Sequence, residues 1–322
     1  MSATGKKKSA GKAAPGTKAA GKPAAGKKTA GGAAASAAVA PAPRLATYAK
    51  NTWCPGCGNF AVLNAIKPVF QELIAAGTRP QDIVLVADIG CNSKIMDYIG
   101  VNSFDSLHGR AIPTAMGIKL ANPGLTVVVH AGDGAAFAEG LEHTLFAAKR
   151  NIDLTLIVHD NGVYGLTVGQ AGPETPPGHK GRSTPYGSIE EPFNPLELLQ
   201  AAGASYLARG YSHGKEQLKR LYAEAIAHRG FSVVDTLQVC VTFRNMYEYY
   251  NARVYELEDH DPRDQEQARA KIREWDYQSD GPVALGTLSV RDRPVFGDQF
   301  DGYGRREIDR EHELEAAFAE LT

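Results

Sequence analysis

Residues 125–170 read LTVVVHAGDGAAFAEGLEHTLFAAKRNIDLTLIVHDNGVYGLTVGQ, and this stretch decides the fold. Leu125–His130 is a β-branched apolar run, the mark of a strand buried on both faces, and it ends in Ala131-Gly132-Asp133-Gly134. Ala138–Arg150 has helical spacing, with Leu141, Leu145 and Ala148 on one face. A second buried strand, Leu154–Val158, breaks at His159-Asp160-Asn161-Gly162. The spacing predicts one βαβ unit, whose two strand ends share the sheet edge where ligands bind. The Asp133 carboxylate and the Asn161 amide oxygen are hard ligands, suited to a Mg²⁺ that also holds a diphosphate. Gly132 and Gly134 let backbone N–H groups approach phosphate closely.

A GDG turn and an Asn-Gly turn are each common by themselves. In this strand–helix–strand context the pair resembles the thiamine diphosphate motif, in which an asparagine follows the GDG one βα unit later. That family often has two asparagines where this chain has Asp160-Asn161.

Upstream, residues 1–44 are built of Ala, Gly, Lys, Pro, Ser and Thr, with Val39 the single valine. Such a segment cannot bury enough apolar surface to offset its conformational entropy, so it is expected to be a disordered tail. It has no apolar core of a signal peptide and is Lys-rich rather than Arg-rich. Nine of the 35 basic residues fall there and none of the 36 acidic ones, which leaves Leu45–Thr322 with 26 basic and 36 acidic residues, net −10. A basic tail on an acidic body is read as a solubilising appendage, with no nucleic-acid partner expected. The remaining 278 residues suit one large α/β domain. No apolar run approaches membrane-spanning length, and four cysteines are too few for a disulfide scaffold, so the expected location is cytoplasmic.

The cysteines stand at chain positions that matter. Trp53-Cys54-Pro55-Gly56-Cys57-Gly58-Asn59 carries a Cys-x-x-Cys turn, followed by a helix over Phe60–Ala76 with Val62, Leu63, Ile66, Val69, Phe70 and Leu73 inward. Strand Ile83–Ala87 ends in Asp88-Ile89-Gly90-Cys91-Asn92-Ser93-Lys94, and Cys240 follows strand Ser232–Val239. A zinc ribbon lacks its second Cys-x-x-Cys. A redox pair leaves Cys91 and Cys240 unexplained. A [4Fe–4S] cluster needs four thiolates and tolerates scattered spacing. Independent buried cysteines remain the fourth reading.

Ser106–Ala111 contains His108-Gly109-Arg110, expected at the mouth of the same edge, before a small-residue helix, Ile112–Ala121. Ala171–Asn194 is a long Gly- and Pro-rich stretch, read as a functional loop. Then come helix Leu196–Ala202, strand Ser205–Ala208, helix Gly214–His228 and the strand leading to Cys240, taken to close the sheet. Beyond Val241 the chain turns aromatic and charged, with helix Pro262–Trp275, one more strand at Val283–Ser289 and an acidic helix at Glu307–Leu321. This part is expected to supply little core and to pack on the domain or on a partner. The expected division is a tail at 1–44, an α/β domain at 45–240 and a C-terminal extension at 241–322.

Taken together, CPGCG, IGCNSK, LHGRAIPTAMGIKLANP, AGDG, DNGVYGLTVGQ, STPYGSIEEPFNP and a late lone cysteine resemble the β subunits of the 2-oxoacid:ferredoxin oxidoreductases, over about Asn51 to Asp261. The resemblance implies an α/β thiamine diphosphate-binding fold of the pyrophosphate type, with a mostly parallel sheet and helices on both faces. It implies Cys54, Cys57, Cys91 and Cys240 as [4Fe–4S] ligands. It gives Mg²⁺ to Asp133, Asn161 and the carbonyl of Val163. Thiamine diphosphate would meet Ile89, Gly90, Cys91, Asn92, His108, Gly109, Gly132, Gly134, Ala135, Tyr164, Gly165 and Leu166. Lys94 and His108 would be the catalytic side chains, Lys94 meeting the 2-oxoacid carboxylate. Where relatives often read GLTKGQ this chain has Val168, which removes a second cation and leaves substrate identity open between 2-oxoglutarate and pyruvate. The implied reaction is coenzyme A-dependent oxidative decarboxylation with one-electron transfer to ferredoxin. The implied complex includes an α subunit that supplies the carboxylate activating the cofactor. Two other readings stand beside it: a non-redox thiamine-dependent decarboxylase or synthase, and a non-enzymatic iron–sulfur electron-transfer subunit.

Overall fold

The computed structural model describes residues 44–300, together with 315 and 318–320. The expected tail, apart from Arg44, and most of the expected last helix lie outside these residues. Among them no helix is long and apolar enough to cross a membrane.

Five parallel strands carry the site and its supports. β1 (Ile83–Ala87), β3 (Thr126–Gly132), β4 (Leu154–Asp160), β7 (Tyr206–Tyr211) and β8 (Phe231–Leu237) are rich in apolar residues, and their residues, the polar ones included, are almost all buried. That is the pattern of a parallel sheet covered on both faces. β2 (Asn102–Asp105), short and exposed, forms one edge. With β9 (Val254–Glu256) and β10 (Val283–Val290) the order is β2-β1-β3-β4-β8-β7-β10-β9. Within this sheet only the β10–β7 pairing is antiparallel. A separate two-stranded hairpin, β5 (Val163–Tyr164) with β6 (Gln170–Ala171), opens the long loop.

Helices cover both faces. α1 (Asn59–Ala75) and α5 (Lys215–Ala227) pack on one side, their Ile66, Phe70, Leu218 and Leu221 against Leu85, Val128 and Val234. α2 (Ala111–Ala121), α3 (Leu141–Arg150) and α4 (Pro195–Ala202) cover the other, where Ile112, Ala148 and Leu199 meet Val129, Leu156 and Val233. Between β3 and α3 the chain makes one wide π turn, Ala135–Glu139, where the sequence alone predicts plain α-helix from Ala138.

Two expectations change. The strand before Cys240 does not close the sheet: β8 lies centrally between β4 and β7. The segment after residue 240, expected to add little core, supplies β9, β10, α6 (Tyr247–Asn251) and α7 (Gln265–Arg273). Its Trp275, Tyr277, Val283 and Leu285 form a third core cluster with Leu237 and Val239. Aromatic residues hide this role in the sequence, because their bulk covers strand ends without any simple periodicity.

Candidate active site

The parallel strands end on one edge, and two adjoining cavities open there. The first lies between the ends of β1, β3 and β4. Its walls are Ile89, Gly90, Cys91, Asn92, His108, Gly132, Asp133, Gly134, Ala135, Asn161, Val163, Tyr164, Gly165, Leu166 and Thr167. Every residue expected to hold Mg²⁺ or the diphosphate cofactor is in this wall except Gly109, which stands just behind His108.

Asp88 at the end of β1 builds the mouth. Its buried carboxylate accepts from the backbone N–H of Ile89 (2.8 Å), Gly109 (2.9 Å) and Ala111 (3.1 Å), fixing the His-Gly-Arg turn onto the start of α2. His108 is thereby aimed. Its Nδ1 is 3.1 Å from the Ile89 carbonyl and its Nε2 3.2 Å from Glu139 Oε2. Tyr164 donates to the same Glu139 carboxylate at 3.1 Å. Burial, then Glu139, pushes the Tyr164 phenol well above its ordinary value, so it stays a donor.

Behind the wall, next to Asp133, the interior is acidic. Asp133, Asp160 and Glu174 are each about 1% exposed, and one oxygen from each lies within 4.8 Å of the others. Asp133 Oδ2, Asp160 Oδ2 and both Glu174 oxygens lack a hydrogen-bond partner. Burial lifts the Asp133 carboxyl to about 7, against the weak 3.5 Å bond from Asn161 N–H. Burial followed by neighbouring carboxylates lifts Asp160 and Glu174 well above the usual range. Orphaned oxygens so close together suit a hard divalent cation, whose ligand oxygens sit about 3–4 Å apart in an octahedron. Asn161 and Val163 border the same space. Glu174, in the Gly- and Pro-rich loop, carries no sequence signal; only the docking of that loop, with Thr175 donating to the Gly162 carbonyl, brings it in.

The second cavity is lined by Cys54, Cys57, Cys91 and Cys240, with Trp53, Lys94, Asn161, Gly165 and Gln238 among the other walls. Three chain segments converge on it. The Cys54–Cys57 turn is closed by Cys57 N–H to the Cys54 carbonyl at 3.0 Å. It docks on the end of β8 through Gly58 N–H to Val239 O at 3.1 Å. A side chain at Gly58 would meet Val239 N at 2.8 Å, so glycine lets Cys57 approach Cys240. Trp53 Nε1 donates to the Cys91 carbonyl at 2.6 Å and ties the third segment in. All four thiols are free. No three of their sulfurs fall within 4.8 Å of one another, wider than the roughly 3.8 Å between thiolates on one tetrahedral zinc. The spread suits a larger iron–sulfur cube. Burial holds Cys57 up at about 11 and also raises Cys91, the latter opposed by Lys94. Such thiols lose their protons to a metal centre rather than to water.

Lys94 therefore lies among the cysteines and not in the wall of the first cavity. The cavities share Cys91, Asn161 and Gly165. A Cβ at Gly165 would lie 3.7 Å from Cys91 Sγ and 3.8 Å from Cys240 Sγ.

Comparison with known proteins agrees with this fold. Residues 88–236 match the family described as "Thiamine pyrophosphate enzyme, C-terminal TPP binding domain". Residues 240–305 match the family of C-terminal regions of the pyruvate ferredoxin oxidoreductase β subunits. The chain is 46% identical to the 2-oxoacid:ferredoxin oxidoreductase subunit beta of Saccharolobus solfataricus, over 66% of this chain and 70% of that protein. It is 44% identical to the 2-oxoglutarate synthase subunit KorB of Methanothermobacter marburgensis, over 59% and 66%. Among solved structures it resembles the 2-oxoglutarate:ferredoxin oxidoreductase from Magnetococcus marinus with 2-oxoglutarate, coenzyme A and succinyl-CoA bound. That likeness has a TM-score of 0.76 and 31% identity, and it covers 85% of this chain and 94% of that one.

Proposed function

The chain belongs to the β subunits of the 2-oxoacid:ferredoxin oxidoreductases, and from that premise we propose that, with an α subunit, it catalyses coenzyme A-dependent oxidative decarboxylation of a 2-oxoacid, passing single electrons to ferredoxin. The observation that carries this reading is the pairing of a thiamine diphosphate domain with four thiols around an adjoining cavity. Thiamine diphosphate supplies the electron sink that decarboxylation needs, and a [4Fe–4S] cluster accepts electrons singly.

The chain's own residues divide the labour. Asp133, Asn161 and the Val163 carbonyl hold Mg²⁺, with Glu174 neutralised against the same cation. The backbone at Gly132, Gly134 and Ala135 admits the diphosphate. Ile89, Gly90, Asn92, Gly165 and Leu166 line the cofactor's path. Gly109 fixes His108, which with Tyr164 shares the Glu139 carboxylate at the mouth, where a proton can be held at His108 Nε2 or Tyr164 Oη. Cys54, Cys57, Cys91 and Cys240 hold the cluster. Lys94, beside Cys91 in the wall of the thiol cavity, would supply the cation for the substrate carboxylate. The names of several relatives favour 2-oxoglutarate over pyruvate.

The test is anaerobic purification of the chain with its α subunit. Iron and sulfide in equal amounts, bound thiamine diphosphate and 2-oxoglutarate-dependent ferredoxin reduction that requires coenzyme A are expected. Cofactor without iron would instead favour the non-redox decarboxylase, and iron without cofactor the electron-transfer subunit.

A further inference from the structure

We propose that Gln238 is a positioning residue that couples the cation site to the thiol site through its single amide group. The inference rests on the reading of both sites given above.

Gln238 directly follows β8 and is 2% exposed. Its backbone N–H donates to the Asp160 carbonyl at 2.6 Å, which pins it at the sheet edge in the wall of the thiol cavity, beside Asn161, which both cavities share. Its Oε1 accepts from Asn161 Nδ2 at 3.0 Å. Its Nε2 donates to the Val239 carbonyl at 2.8 Å and to Cys57 Sγ at 3.5 Å. Only one orientation of this amide satisfies all three contacts. Turned over, its oxygen would face the Val239 carbonyl and the sulfur, and its NH₂ would face another NH₂.

Asn161 is oriented by the same bond. With Nδ2 given to Gln238, its Oδ1 is left to accept from Val163 N–H at 3.2 Å and to face the cation site. The residues thus form a continuous line: Asn161 Oδ1, Asn161 Nδ2–H, Gln238 Oε1, Gln238 Nε2–H, Cys57 Sγ. A cation on Asn161 Oδ1 draws electron density from that amide and strengthens its N–H as a donor. Gln238 then becomes the stronger donor to sulfur, because chained hydrogen bonds polarise one another. An N–H bond to a cluster thiolate stabilises the more negative, reduced state and raises the potential. Cofactor binding at one cavity would therefore make the other a better electron acceptor. The direct electric field of the bound cofactor acts with or without Gln238, so substitution separates the two effects.

The test uses the αβ complex as wild type, Gln238→Leu and Gln238→Glu. Iron and sulfide content and the midpoint potential are measured by EPR-monitored titration, with and without Mg²⁺ and thiamine diphosphate. In the wild type the potential should rise on adding the cofactor. In Gln238→Leu the cofactor-linked rise should shrink and the cluster should be about tenfold harder to reduce, about 59 mV for one electron. Gln238→Glu keeps the size but offers Cys57 no N–H; its added negative charge lowers the potential by itself, so its reading is the loss of the cofactor-linked rise, which decides the matter if leucine blocks cluster loading. Loaded variants with wild-type potential and an undiminished cofactor response would overturn the coupling while leaving the cluster in place. A wild-type complex without iron would overturn the cysteine reading itself, and the coupling with it.

Discussion

Asp235 on β8 and Asp133 just past β3 are both sealed from water, yet among the described residues only Asp235 has a cation within ion-pair distance. Asp235 faces Arg209 on the neighbouring β7, with Nε at 3.4 Å, and accepts from Tyr277 Oη at 2.7 Å. The guanidinium lies against the neighbouring rings of Trp275 and Tyr277, 5.2 and 5.7 Å from their centres, so aromatic faces stand in for its missing hydrogen-bond partners. Asp133 instead meets two more carboxylates, Asp160 and Glu174, and four of their oxygens have no hydrogen-bond partner among the described residues. The first arrangement pairs opposite charges within the fold, even though Asp235 Oδ1 and both Arg209 Nη atoms have no hydrogen-bond partner among the described residues. The second sets three carboxylates against one nearby guanidinium, Arg244, which donates to the Asn161 carbonyl, and an added cation would complete it. Burial alone does not separate a stabilising charge from a functional one; where the opposite charge comes from does.

The largest effect that bears on this contrast should come from Arg209→Ala. It strands Asp235 without its partner and should cost roughly 3–5 kcal/mol in denaturant unfolding, as for other broken buried pairs. A cost below about 1 kcal/mol, typical of exposed pairs, would mean that Asp235 is no better balanced than Asp133. Next, Mg²⁺ and thiamine diphosphate at about a hundred times their dissociation constant should stabilise the fold by about 2.7 kcal/mol. Asp133→Ala should abolish that gain without lowering the stability of the cation-free protein and without changing the iron–sulfur absorption. Unchanged cofactor affinity by calorimetry would refute the cation assignment. Glu174→Gln removes one charge from this acidic group and should weaken cation-dependent cofactor binding about tenfold, about 1.4 kcal/mol; tighter binding would show that Glu174 only adds repulsion.

The smallest effect concerns a buried pair that needs no counter-charge. His130 Nδ1 lies 2.9 Å from His159 Nε2, and His159 Nδ1 2.7 Å from Asn59 Oδ1. Burial, then His159, holds the His130 imidazole well below 6.5. A depressed histidine stays neutral in the fold while the unfolded chain takes up a proton, so its contribution is whole above pH 6.5 and is lost as pH falls. Unfolding free energy should drop by roughly 1 kcal/mol from about pH 6.5 to about 5.5 for each histidine of the pair, since burial lowers His159 to about 3 as well. His130→Asn should about halve that slope, and an unchanged slope would assign it elsewhere.

The βαβ unit and the site edge were legible because buried parallel strands are apolar-rich runs that stop at Gly, Asp and Asn. Central and edge positions write the same run, which is why β8 reads as a closing strand and proves central. β2 has four exposed residues and no apolar alternation, so nothing announces it. At the site, cysteines and a GDG are conspicuous because few other tasks need them. Gln238 and Glu174 are not. A glutamine after a strand and a glutamate in a Gly-Pro loop look like ordinary surface residues until distant segments close over them. Lys94 shows the converse: sequence places it near Cys91, and the fold turns it toward the sulfurs.

Gly165 forms part of the partition between the two cavities, and neither its backbone nor its space demands glycine, since a methyl group there would rest at ordinary contact distance from two sulfurs. What the missing side chain leaves is room on one side of the partition. A methyl group added there would point at Cys91 and Cys240, into the volume that anything held by those sulfurs would have to share. The residue works as a recess in a common wall, open toward the thiols, and filling it would crowd their guest without removing a ligand.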